Sequence, residues 1–111
     1  MRSRANYRSR LFERRRFDLR LKFLLKTNGR TEVLYGRSHD LSFSGIGVVL
    51  ARQLSHGTPG VLVLRFPKIE FEVHLPAVVS HEQGFRCGLE FHRLSGEQKL
   101  LIQKICKALP A

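Results

Sequence analysis

The sequence predicts a mainly-β protein: a six-stranded antiparallel β-barrel with a C-terminal α-helix. Three observations predict it. Apolar and polar residues alternate over short segments from residue 17 to residue 91, the pattern of half-buried strands. Those segments are evenly spaced and separated by turn chemistry, which favours a barrel, because closing a sheet removes its unpaired edges. After residue 94 the apolar period changes to that of a helix. A chain of 111 residues is one domain, and with 42% apolar residues, eight Phe and two Tyr it can bury a core.

Residues 1–12 show little periodicity and are expected to form a flexible basic arm, with at most a short helical turn at Tyr7, Leu11 and Phe12. Residues 13–111 form the barrel domain. The first strand starts near residue 17, with Phe17, Leu19, Leu21, Phe23 and Leu25 on one face and Arg16, Asp18, Arg20 and Lys22 on the other. Asn28-Gly29 is the signal of a type I′ hairpin turn. Glu32 to Asp40 forms a second strand, with Val33 and Tyr35 sharing a face, and Gly45 to Leu50 a third. Residues 55–60 are a loop by their Gly and Pro content. Val61 to Phe66 is the fourth strand. Pro67-Lys68 turns into the fifth, where Phe71, Val73, Leu75, Ala77 and Val79 alternate and Pro76 marks an edge or a bulge. Phe85, Cys87, Leu89 and Phe91 make one face of the sixth. Ser95 and Gln98 have the spacing of a capping box, and Leu101, Ile102, Ile105, Cys106 and Leu109 recur at helical spacing until Pro110.

Composition excludes several classes. Cys87 and Cys106 are the only cysteines, too few for a disulfide scaffold and without the Cys-x-x-Cys pair of a structural zinc site. Both fall on apolar faces and are expected in the core. No apolar stretch approaches the ~18 residues that span a bilayer. The basic start has no apolar stretch behind it, so no signal peptide is expected, and the default location is the reducing cytoplasm. The sequence holds no G-x-S-x-G, Walker A or H-E-x-x-H pattern. His39, His56, His74, His81 and His92 are scattered over separate elements, and none pairs at helical metal-ligand spacing. The expectation is a binding protein with no cofactor and no metal, and not an enzyme.

The charge indicates what it binds. The formal net charge is +11, and residues 1–20 alone hold eight arginines, no lysine and two acids. Arginine carries a planar fork of donors that matches phosphates and base edges, where lysine is a point charge. Two patterns stand out. Arg16-Phe17-Asp18-Leu19-Arg20 puts two arginines on one strand face, about 13 Å apart. Asp40-Leu41-Ser42-Phe43-Ser44-Gly45 is a D-x-S-x-x-G pattern. There Asp40 can accept two N–H groups from a guanine edge, Ser42 can donate to a phosphate or accept from a base amine, and Gly45 permits positive φ and close backbone approach. Either pattern alone is ordinary: D-x-S-x-x-G is common turn chemistry.

In this order, with Asp40 twenty residues after Arg20, they resemble the PilZ domain, the bacterial receptor module for cyclic di-GMP, whose signature is R-x-x-x-R followed by [D/N]-x-S-x-x-G. The resemblance extends to Gly88-Leu89-Glu90-Phe91 before the final helix, and covers about residues 13–109. It implies that Arg16 and Arg20 clasp phosphates and guanine edges, that Asp40 and Ser42 read a guanine, and that Gly45 shapes the turn. It further implies that Arg15, just before the first motif arginine, favours an intercalated ligand dimer, with Arg14 assisting. Arg14, Arg15 and Arg16 run together, which leaves the first motif position open among them, although only Arg16 has the spacing to Arg20. The family associates such domains with motility, exopolysaccharide production and biofilm formation.

The expected output is that ligand orders residues 8–16 against the barrel and so creates or hides a docking face for a downstream protein effector. Two alternatives compete. One is a small basic barrel binding nucleic acid non-specifically, which the lack of exposed strand aromatics alternating with Lys or Arg opposes. The other is a PilZ-like protein adaptor that does not bind the nucleotide.

Overall fold

The computed structural model describes residues 13–110. The arm expected over residues 1–12, with its turn at Tyr7, Leu11 and Phe12, lies outside the described residues.

The described chain forms strands β1 (Arg15–Arg16), β2 (Arg20–Thr27), β3 (Arg30–Leu41), β4 (Gly45–Leu50), β5 (Pro59–Leu64), β6 (Val73–Gln83) and β7 (Arg86–Phe91), then helix α1 (Gly96–Ala108). The order across the sheet is β1-β3-β2-β5-β6-β7-β4, and β4 pairs back onto β3. Six strands, β2 to β7, thus close on themselves in an antiparallel barrel, as the sequence predicts. The seventh, β1, extends the edge that β2 occupies on β3: Arg16 stands opposite Asp40, and Arg20 opposite Arg37.

The alternation from residue 17 holds, with Phe17, Leu21, Phe23 and Leu25 buried, but the strand is interrupted over residues 17–19. Buried Ser38 accounts for the break. Its hydroxyl donates to the Phe17 carbonyl and accepts from the Leu19 N–H at 2.9 Å, so these backbone groups bond a side chain instead of a neighbouring strand. With both roles filled, the hydroxyl's hydrogen bonds compensate for its burial.

At the Asn28-Gly29 turn φ is 52° and 78°, the two left-handed residues of a type I′ hairpin. Val33 and Tyr35 do share a face, and it is the outer one; Leu34 fills the core between them. The fourth strand lies two residues earlier than predicted, at Pro59–Leu64, with Phe66 buried just beyond its end. Two aromatics placed by periodicity on core faces lie outside their strands and are exposed: Phe71 precedes β6 and Phe85 sits in the turn before β7. Pro76 pairs with Val61 on one side, and its carbonyl accepts from His92 N on the other, just past the end of β7. β6 is an interior strand whose bulge lies at Val79–His81 and not at Pro76, and the missing N–H falls opposite His92, where the β6–β7 ladder has ended.

The core is continuous from Phe23, Leu62 and Leu75 through Ile46, Val48 and Leu89 to Phe66, whose ring meets Phe17 at 5.5 Å. Helix α1 closes it. Ile102 and Cys106 are buried in it, and the Ser95–Gln98 capping box forms with both hydrogen bonds. Gln98 also donates to the His74 carbonyl at 2.8 Å, and Arg15 Nη1 donates to the Leu109 carbonyl at 2.7 Å. The helix is thereby tied at its start to β6 and at its end to β1, beside the arginine cluster.

Candidate ligand-binding site

The arginines and the D-x-S-x-x-G segment meet at one end of β3. Asp40 occupies a β-bulge: β4 pairs Ser38 with Val48 and Asp40 with Gly47, so His39 is the extra residue. A bulge turns two consecutive side chains the same way. His39 and Asp40 both lie on the outer surface, with His39 Nδ1 2.9 Å from Asp40 Oδ2. Asp40 Oδ1 accepts from Arg14 Nη1 at 2.9 Å and from the Gly47 N–H at 3.1 Å. The carboxylate is thus held by backbone beneath and by cationic or polar groups at its sides, and remains partly open to solvent.

Gly47 is a site residue that the motif does not reveal. A Cβ there would stand 2.7 Å from Asp40 Oδ1 and 2.9 Å from Oδ2, and would collide with the His39 ring. Only glycine lets both side chains lie flat over β4. The signal in the sequence is slight: a second glycine two residues after Gly45, on the same strand face.

Arg16, directly opposite Asp40, and Arg20 are both exposed, and neither guanidinium has an ion pair or hydrogen bond among the described residues. Their neighbours do. Arg14 holds Asp40, Arg15 holds the helix end, and Arg37 binds Asp18 at 2.9 Å. Asp18, the acid within the first motif, therefore neutralises Arg37. Arg15 Nε is buried with no hydrogen-bond partner, a cost offset in part by the bond its Nη1 makes to Leu109.

Ser42 is only 1% exposed. Its hydroxyl lies 3.2 Å from Ser44 Oγ and 3.4 Å from the Gly45 carbonyl, and its N–H donates to that carbonyl at 2.9 Å. It is placed to hold the turn, not at the solvent surface beside Asp40. Gly45 needs correction in its reason. Its φ is not positive; it is glycine because a Cβ would run into the Leu89 carbonyl on the paired strand. Of the seven predicted residues, Arg14, Arg16 and Asp40 are brought together, Arg20 stands along β2 from them, Ser42 and Gly45 build the turn, and Arg15 faces the helix.

The other chemical groups offer little. Cys87 and Cys106 are free thiols inside the core, and burial pushes each up to about 11, against the activation a nucleophile needs. His74 and His81 share β6, contrary to the expectation of separate elements. No group of three metal-ligating side chains occurs among the described residues, and no described helix is long and apolar enough to cross a membrane. The expectation of no exposed strand aromatic fails at Tyr35, which alternates outward with Arg37. It is a lone platform among the described strand residues, not the succession that single-strand binders line up.

The model of the PilZ domain family matches residues 6–108. The chain belongs to the PilZ domain family. Two solved PilZ structures show the same fold. The PilZ domain of CeSA from a cellulose-synthesizing bacterium aligns with a TM-score of 0.67 and 18% identity, covering 86% of this chain and 95% of that one. The PilZ domain of YcgR from Escherichia coli, solved with c-di-GMP, aligns with a TM-score of 0.71 and 18% identity, covering 98% of this chain and 92% of that one. No curated protein matches the chain.

Proposed function

We propose that this PilZ domain is a cyclic di-GMP receptor and not an enzyme, acting in the bacterial cytoplasm. The observation that carries the reading is the β1–β3 register. It sets Arg16 across from Asp40, with Arg20 further along the same barrel face, and neither arginine has an ion pair or hydrogen bond among the described residues. Cyclic di-GMP carries two phosphates and two guanines. Guanidinium groups meet the phosphates and the guanine O6/N7 edge in bidentate fashion, and a carboxylate accepts the N–H groups of the opposite edge. Asp40 Oδ1 is already shared by Arg14 and Gly47. A guanine that binds Asp40 displaces Arg14, and frees it to meet a phosphate. Ser42 and Gly45 keep the turn that supports Asp40, and Arg15 is the residue whose engagement sets whether one or two ligand molecules are held.

The output follows from the same contacts. Arg14 and Arg15 hold the start of the described chain to Asp40 and to the end of α1. A ligand that recruits them orders residues 8–16 against the barrel and changes the surface offered to a downstream protein effector, in processes such as motility or biofilm formation.

Calorimetric titration with cyclic di-GMP, with GTP and a short DNA as controls, tests the reading. Saturable binding of the cyclic dinucleotide with little loss between 50 and 200 mM salt supports it. A duplex binder making 6–10 phosphate contacts loses about 10³–10⁵ over that range. Such a loss, or equal binding of GTP, refutes it. No binding of any nucleotide leaves the adaptor reading in its place.

A further inference from the structure

A groove of about 590 Å³ runs along the outer face where β2, β3 and β4 lie side by side, lined by Arg20, Tyr35, Arg37, Val49 and Ala51. It is shallow and open to solvent. Tyr35 is 64% exposed and Val49 beside it is exposed too, while Leu34 supplies the apolar group that the core uses at this level of β3. The fold thus leaves most of Tyr35 open to solvent. No described residue lining the groove is acidic. Arg20 and Arg37 face each other in the β2–β3 register; Arg37 is occupied by Asp18, and Arg20 is free among the described residues. A flat aromatic surface flanked by a free guanidinium is the chemistry that holds a base with an attached phosphate.

The groove and the Asp40 site share the outer face of β3. Arg37 lies three residues and Tyr35 five residues before Asp40 on β3, about 10 and 16 Å along the strand. Arg20, opposite Arg37, stands between them. We infer that the groove takes a second guanine base, stacked on Tyr35 against Val49, while the first is read at Asp40 and Arg20 meets the phosphate between. The inference rests on the cyclic di-GMP reading. The second guanine comes from the same molecule or from another stacked on it.

Tyr7 and Tyr35 are the only tyrosines and there is no Trp, so in the Tyr7→Phe protein the intrinsic emission reports Tyr35 alone. Cyclic di-GMP is titrated into that protein by calorimetry and fluorescence in parallel. The expected result is quenching of Tyr35 along the calorimetric isotherm. Tyr35→Ala weakens binding about fivefold to a hundredfold, the worth of one stacked base, and Tyr35→Phe, which keeps the ring, binds like the parent. One ligand per chain throughout assigns the base to the same molecule; two per chain falling to one in Tyr35→Ala assigns it to a second. Normal binding with unchanged Tyr35 emission and a wild-type affinity for Tyr35→Ala overturns the groove while leaving the receptor reading intact. Absence of binding by the parent protein overturns both.

Discussion

Replacing Gly47 by alanine tests whether Asp40 reads the ligand without touching any motif residue. The added Cβ would sit 2.7 Å from Asp40 Oδ1 and overlap the His39 ring, so both side chains must swing outward. Both are partly exposed and can do so. The cost to the fold is therefore at the low end of overpacking, about 1 kcal/mol, and is offset in part by the ~0.4–1 kcal/mol that Gly→Ala withdraws from unfolded-state entropy. The cost to binding is larger. Asp40 loses the Gly47 N–H that fixes it at 3.1 Å, and its carboxylate leaves the position opposite Arg16. A charge-assisted hydrogen bond is worth about 1.5–3 kcal/mol, so affinity for cyclic di-GMP falls about tenfold to more than a hundredfold. Thermal unfolding and calorimetric titration of the same samples separate the two effects. A variant that melts like wild type yet binds tenfold more weakly or worse is the expected outcome. Unchanged affinity at unchanged stability would refute the role given to Asp40.

Arg16→Ala and Arg20→Ala each remove a guanidinium without a partner among the described residues and should weaken binding by at least about tenfold by the same hydrogen-bond arithmetic, while Arg2→Ala and Arg4→Ala leave it nearly unchanged; equal losses from all four would indicate diffuse charge instead. Ser95→Ala removes the hydroxyl that accepts from the Gln98 N–H at 3.1 Å and leaves the bond from its own backbone N–H to Gln98 Oε1. It should cost about 1 kcal/mol, read as a melting point lower by ~4 °C. The two buried thiols titrate near 11 in the folded chain against about 9 unfolded, so unfolding releases protons between those values. Stability from this source is complete below about pH 9 and declines as pH rises towards 11. Urea unfolding should show a steeper alkaline loss in wild type than in the Cys87→Ala, Cys106→Ala double variant, and parallel curves would contradict the burial of the thiols.

Much of the barrel was legible because the residues that build it obey one local rule each. Period-two alternation marks Leu21, Phe23 and Leu25, the pair Asn28-Gly29 forces its own turn, and Ser95 with Gln98 caps its own helix. The misreadings occur where a distant group decides. Phe71 and Phe85 fit the alternation, but the strand pairing ends before it reaches them. The strand is interrupted over residues 17–19, where the hydroxyl of buried Ser38, nineteen to twenty-one residues away, takes the Phe17 carbonyl and the Leu19 N–H while the Phe17 N–H and the Leu19 carbonyl still bond β3. The candidate site divides in the same way. Arg16, Arg20 and Asp40 stand out by spacing. The bulge that turns His39 onto Asp40, the glycine floor at Gly47 and the attachment of Arg15 to the helix end depend on β3 meeting β4 and α1, and no local pattern encodes that meeting. Ser42 shows the converse: a donor in the right motif position whose hydroxyl is spent on its own turn.

The convergence of the two motifs on one ligand is tested most directly by following backbone amide and arginine side-chain resonances during a titration with cyclic di-GMP. The account predicts that the large shifts gather on residues 14–20, 35–40 and 45–47, with the Arg16 and Arg20 guanidinium signals moving at the same ligand concentration as the Gly47 amide. Shifts spread over the basic surface, with the Gly47 amide and the Arg16 side chain unmoved, would contradict it.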